Sequence, residues 1–145
     1  MLNIKKFLVT VLLLLIPTYT VSGDNSIIKD HYTFQYNAFP STSLPAQMTR
    51  QYQFKRSQNM ALVNITVIDN NSDIRYKGIK AKVKGVMQNL MGQQKKLKFK
   101  EIFEDKTYYY IAEVPTEHND VVHMKITAQP NDSEKSYDFK FVKQF

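Results

Sequence analysis

The sequence predicts an all-β fold: an immunoglobulin-like antiparallel β-sandwich of seven or eight strands, with a small β-barrel as the alternative. Three observations carry this. Segments in which apolar and polar residues alternate recur from His31 to the end of the chain at roughly 8–12-residue spacing. Asn- and Asp-rich clusters separate them, and with only four glycines in the chain these residues must supply many of the turns. Beyond residue 23, no long stretch repeats with the 3.6-residue period of an amphipathic helix.

Each element follows in order. Tyr32, Phe34 and Tyr36 alternate in HYTFQYNAF, an aromatic strand stopped by Pro40. PSTSLPAQM reads as a loop with one helical turn after Ser43. RQYQFKR alternates Tyr52 with Phe54 and reads as a short strand. MALVNITVI is β-branched and ends at the turn-rich DNNSD. GIKAKVKGVM and KKLKFKEIF read as two further strands, and Glu104-Asp105-Lys106 turns into TYYYIAEV. VVHMKITAQ and SYDFKFVKQF, joined through Pro130-Asn131-Asp132-Ser133, complete the set.

The N-terminus has a separate meaning. Lys5 and Lys6 precede the apolar run Phe7–Ile16, then Pro17, and small residues at Ser22 and Gly23 offer a cleavage point. That is the layout of a secretory signal peptide over residues 1–23. The run is shorter than the ~18–20 apolar residues a membrane span needs. Residues 24–145 are then expected to form a single β-sandwich domain in the periplasm. The chain has no cysteine, so an exported domain must hold together by its core, without disulfides or a thiol nucleophile.

Charge is concentrated in one place. Without Lys5 and Lys6 the chain has 18 basic and 13 acidic residues, and nine of the basic ones lie in residues 74–100, which contain no acid. In GIKAKVK, Lys80, Lys82 and Lys84 share one face; in KLKFK, Lys96, Lys98 and Lys100 share one face. If these strands pair as a hairpin through Asn89–Gln93, lysine lies beside lysine, and like charges directly opposite cost about 0.2–1 kcal/mol per pair. Three arrangements relieve this: an intervening acid such as Glu101 or Glu113, placement of the strands in opposite sheets, or an anionic partner. The six lysines are therefore candidates for an anionic surface such as lipid headgroups. Lysine also serves to protect sheet edges and to solvate a face. Nucleic acid is not expected as a partner, because no recognition motif accompanies the charge.

Other constellations carry less. Met87, Met91, His118, His123 and Met124 offer thioether and imidazole donors suited to Cu(I), yet adjacent His123 and Met124 must point to opposite faces of a strand. No metal site or cofactor is assigned. G-x-S-x-G and H-E-x-x-H are both missing from the sequence, so no catalytic set is coherent. Tyr108-Tyr109-Tyr110 could form a stacking platform only if one of its two faces were uncovered. Asn64, inside an otherwise apolar strand, needs a hydrogen-bond partner, expected from a loop.

The strings Tyr36-Asn37-Ala38-Phe39, Arg56-Ser57 followed by Leu62–Val67, Asn89-Leu90 with Gly92-Gln93, Tyr109-Tyr110-Ile111-Ala112, and Phe141 with the closing Gln144-Phe145 form a set. Together they resemble the DUF4426 family of small exported bacterial proteins. The likeness runs in the same order from Tyr32 to Phe145. It implies a periplasmic, mostly β domain of unknown function, and it makes Arg56, Asn64, Asn89 and Gln93 the candidate binding residues. The lysine rows lie outside it. The combined expectation is a non-catalytic, exported β-sandwich that binds a protein or cell-envelope component. The alternatives are a small-ligand or copper module and an anionic-lipid binder.

Overall fold

The computed structural model describes residues 25–145, so the expected signal peptide lies outside the described residues. Nine strands form two antiparallel sheets. They are β1 (Ser26–Lys29), β2 (Tyr32–Pro40), β3 (Met60–Asp69), β4 (Ala81–Gln88), β5 (Gln94–Leu97), β6 (Phe99–Glu104), β7 (Thr107–Pro115), β8 (Val121–Pro130) and β9 (Tyr137–Gln144). The orders are β1-β2-β3-β7-β6 and β5-β4-β8-β9. The four strands β2-β3-β7-β6 opposite β4-β8-β9 reproduce the two-sheet order of an immunoglobulin-type sandwich. Both sheets have open edges, so the barrel alternative does not hold.

Alternation decides which side chains enter the core. Phe34, Val63, Ile65, Val67, Ala112 and Val114 from the larger sheet meet Val122, Ile126, Ala128 and Phe139 from the smaller one, all buried. An aromatic seam closes one side: Tyr32 lies against Tyr137, Phe34 against Phe139 and Tyr36 against Phe141, with centroids 5.6, 5.5 and 4.4 Å apart. The HYTFQYNAF alternation thus works as expected. Such pairs add about 0.5–1.5 kcal/mol each beyond the area they bury.

Three elements differ from expectation. Ser26–Lys29 forms an extra edge strand, paired with the start of β2. RQYQFKR is no strand: a 3-10 turn (Ser41–Ser43) and α1 (Ala46–Gln51) lead into an irregular return. This segment, residues 41–57, straps the outer side of the larger sheet, seating Leu44, Tyr52 and Phe54 against Leu62, Ile102, Tyr109 and Ile111. The alternation of Tyr52 and Phe54 reflected burial under a strap. KKLKFKEIF, read as one strand, breaks at Lys98: Gln94–Leu97 pairs with β4, whereas Phe99–Glu104 pairs with β7 in the facing sheet.

The two sheets are also joined by a crossing segment and a buried phenol. β3 pairs with β7 only from Met60 to Ile65. Beyond that, Gly78 and Ile79 fill the widening gap: the Ile79 N–H donates to Val67 O (2.7 Å) and the Tyr108 N–H to Gly78 O (3.0 Å). The chain then crosses into the smaller sheet as β4. There the buried Tyr110 hydroxyl accepts from the Ala81 N–H (2.7 Å) and donates to Glu101 Oε2 (3.0 Å). One side chain of β7 thereby satisfies the first backbone donor of β4.

Candidate functional site

The outer side of the four-stranded sheet is the most strongly charged surface that the register assembles. On β4, Ala81, Val83, Gly85 and Met87 turn toward the core, so Lys82, Lys84, Val86 and Gln88 turn outward. On β8 the outward residues are His123, Lys125, Thr127 and Gln129; on β9 they are Asp138, Lys140, Val142 and Gln144. Lys96 projects from β5 on the same side, directly opposite Val86. Following Cα partners across the sheet gives one row from all four strands: Lys96, Val86, Lys125 and Lys140.

Lys125 stands directly opposite Lys140, the arrangement that costs about 0.2–1 kcal/mol when uncompensated. Among the described residues, the ion pairs of lysine are Lys80 with Glu101 (3.8 Å) and Lys135 with Asp30 (2.8 Å); none involves the row. Asp138 is the single acid on this face, and its Oδ1 accepts from the Thr127 hydroxyl opposite. Five lysines (82, 84, 96, 125 and 140) thus share a face with one carboxylate. Two open hollows flank the middle of the row. One of about 760 Å³ is lined by Gln88, His123, Lys125, Lys140 and Val142 among others; one of about 490 Å³ is lined by Lys84, Lys96, Lys125 and Thr127 among others. Both include Val86, a short side chain ringed by long ones.

The structure redistributes the six lysines singled out from sequence. Lys82, Lys84 and Lys96 lie on this face, and Lys125 and Lys140 join them. Lys80 pairs with Glu101 instead. Lys98 occupies the crossing between the sheets. Lys100 anchors the strap, its Nζ donating to Tyr52 O (3.0 Å) and Gln53 O (2.7 Å) and lying 4.8 Å from the Phe54 ring centre. The two expected rows never face each other, because the β4–β5 pairing spans only Gly85–Gln88 and Gln94–Leu97, and the chain leaves for the facing sheet before it reaches Lys82 and Lys84.

The four polar residues of the resemblance are not brought together. Asn89 and Gln93 close the β4–β5 turn on one another: Asn89 Nδ2 donates to Gln93 Oε1 (2.8 Å) and the Gln93 N–H to Asn89 Oδ1 (2.9 Å). Gly92, at φ +78°, supplies the left-handed residue that this turn requires. Arg56 ties the strap to itself through Thr42 O (3.0 Å) and Leu44 O (3.3 Å). Asn64 lies on β3 between Asn37 and Ile111, with Oδ1 buried and without a hydrogen-bond partner among the described residues, so the expected bond to a loop does not form there.

The copper donors do not converge either. Met87 and Met124 are cross-strand neighbours in the core, His123 is on the opposite side of that sheet, and Met91 is 79% exposed in the turn. Among the described residues no three His, Cys, Asp or Glu side chains are grouped to hold a metal. Both faces of the tyrosine triplet are covered, Tyr108 and Tyr110 by the main core and Tyr109 by the strap cluster, so the platform does not exist.

Comparison with known proteins gives the following. The family model described as a domain of unknown function, DUF4426, matches residues 28–145. A crystal structure of a DUF4426 family protein from Pseudomonas aeruginosa PAO1 superposes with a TM-score of 0.73 at 21% identity, covering 86% of this chain and 96% of that one. A copper-bound variant of FetP from uropathogenic Escherichia coli strain F11 gives 0.60 at 9% identity, covering 83% of this chain and 88% of its own. FetP of the same strain in its as-isolated state, recombinantly expressed in the periplasm of E. coli, gives 0.57 at 9% identity, with 83% and 91% covered. At these identities the structural likenesses establish the sandwich fold. No curated protein matches the chain.

Proposed function

The chain belongs to the DUF4426 family, and from that premise we propose that it is an exported, non-catalytic binding protein whose lysine face takes an anionic partner, a protein or a component of the cell envelope. The observation that carries this is the row Lys96–Val86–Lys125–Lys140, with two lysines directly opposed and, among the described residues, no ion pair to any of the three. A sheet face that served only for solubility would gain as much from mixed charges. Three lysines without an ion pair among the described residues, aligned across one sheet face, instead create a field that a negative surface cancels.

The test uses vesicles of acidic phospholipid and soluble polyglutamate as two anionic probes. The protein should bind at least one of them at low ionic strength and release it at high. Each lysine near an acidic surface contributes about 1 kcal/mol, so replacing Lys96, Lys125 and Lys140 by Glu should weaken vesicle binding by roughly a hundredfold or more. Lys55→Glu, in the strap over the outer side of the other sheet, should leave binding almost unchanged. Binding to neither probe, or equal binding by the triple variant, ends this reading.

Export rests on Lys5, Lys6 and the apolar run Phe7–Ile16. Mass spectrometry of protein recovered from cells should find a new N-terminus near Ser22–Gly23. An intact Met1 in a cytosolic fraction removes export from the proposal.

A further inference from the structure

We propose that the open edge of β9 takes up an extended, acidic segment of the partner protein as an added strand alongside the lysine face. This rests on the reading of that face as an anion site and names the partner's form.

Four strands lie at sheet edges, and β9, with eight residues, is the longest; β1 and β5 have four each and β6 has six. The direction of its free groups can be read from the chain end. The Phe145 N–H donates to Asp120 O (2.9 Å) and its carbonyl accepts from the Asn119 N–H (2.8 Å), so the backbone of Phe145 faces the β8 side. Backbone groups alternate along a strand. Those of Tyr137, Phe139, Phe141 and Lys143 therefore also face β8, and those of Asp138, Lys140, Val142 and Gln144 face outward. The outward carbonyl of Asp138 is occupied by Lys29 Nζ. The N–H and C=O groups of Lys140, Val142 and Gln144 have no hydrogen-bond partner among the described residues.

The same residues that present a free backbone present their side chains on the lysine face. The row Lys96–Val86–Lys125–Lys140 runs out at this edge, and the next position in the row would belong to the added strand. A glutamate or aspartate there lies beside Lys140 and one strand from Lys125, relieving the opposed pair. Two residues along the added strand, on the same face, the position beside Val142, 56% exposed, favours an apolar residue. The recognised pattern is an acid and an apolar residue two positions apart on one face of the strand, held by main-chain bonds and selected by side chains, as in strand-addition recognition generally. A second copy of this chain fits poorly, since pairing β9 with itself would join two lysine faces.

The probe is a labelled synthetic peptide of about eight residues, the length of β9, with Glu and Val taking turns at every second position and Thr between them. Two twins carry N-methyl groups on alternate residues, one in each frame, so that one of them blocks pairing along the binding edge. Fluorescence polarisation should show the parent peptide bound and one twin weakened by roughly tenfold or more. Val142→Pro, which removes an outward N–H, should weaken the parent peptide similarly while retaining polyglutamate or vesicle binding. In the unaltered protein, amide resonances of Lys140, Val142 and Gln144 should shift on peptide addition.

If both twins bind as well as the parent, the edge proposal is overturned while the anionic reading stands. Association of the protein only with itself, or binding only to vesicles, overturns it equally. Loss of all anionic binding in the unaltered protein, or its full retention in the Lys96/Lys125/Lys140→Glu variant, marks failure of the anionic reading itself.

Discussion

Gly78→Ala should destabilise the domain by about 3 kcal/mol, at the upper end of what overpacking costs, measured as a fall in the urea midpoint with the slope unchanged. A Cβ at Gly78 would sit 2.5 Å from Tyr108 O, 2.8 Å from Thr66 Cγ2 and 2.9 Å from Thr107 Cγ2. The first is backbone, and it cannot retreat cheaply, because Tyr108 also bonds Gly78 through its own N–H. Opening that contact would pull the crossing segment out of the gap between β3 and β7. The requirement here is closeness of approach, since Gly78 needs no left-handed backbone. Gly92→Ala, in an open turn with Gln88 Nε2 as the nearest neighbour at 3.8 Å, should cost less, and through φ alone. Equal stability losses at the two glycines would contradict this account.

Tyr110→Phe should cost about 1–3 kcal/mol, the penalty for leaving a buried donor unpaired. The ring would still fill its place, but the buried Ala81 N–H would lose its acceptor and Glu101 a donor. A pH signature accompanies this change. Burial pushes the Tyr110 phenol up to about 12, with the hydrogen bond to Glu101 adding to the rise and that from Ala81 opposing it. Tyr32, buried and bonded to Asp132, is likewise pushed up to about 12. Unfolded phenols ionise near 10, so between pH 10 and about 12 the unfolded chain releases protons that the folded chain keeps. Stability from these groups is therefore complete below pH 10 and lost as pH rises through that window. Denaturant melts across the window should show a steep alkaline decline, and Tyr110→Phe should make it shallower, leaving the share of Tyr32. An identical decline in both proteins would rule out Tyr110 as a contributor.

The sandwich was legible because strand signals are local: β2, β8 and β9 alternate within their own residues, and β3 is marked by its β-branched run. What stayed hidden depends on partners. Lys125 is the one lysine of β8 and Lys140 the one outward lysine of β9, and only the β8–β9 register sets them opposite one another. Conversely, the density of lysine in KKLKFK suggested a single row, whereas a change of sheet at Lys98 sends Lys96 and Lys100 to different faces. RQYQFKR failed for a related reason: two apolar residues spaced by two fit a strand and a covering strap equally well. Asn89 and Gln93 were marked by the resemblance, and their mutual hydrogen bonds account for them as turn-formers.

The change of sheet at Lys98 has a mechanical consequence. A four-residue strand at a sheet edge would ordinarily peel away from its end. Here Leu97 belongs to one layer and Phe99 to the other, with a single residue between them. To detach, β5 must drag β6 from β7, and with it Lys100, whose ammonium pins the strap through Tyr52 and Gln53. The short strand behaves as a hem stitched into the opposite layer. Load applied to Lys96 at the charged surface would be borne by the far side of the molecule.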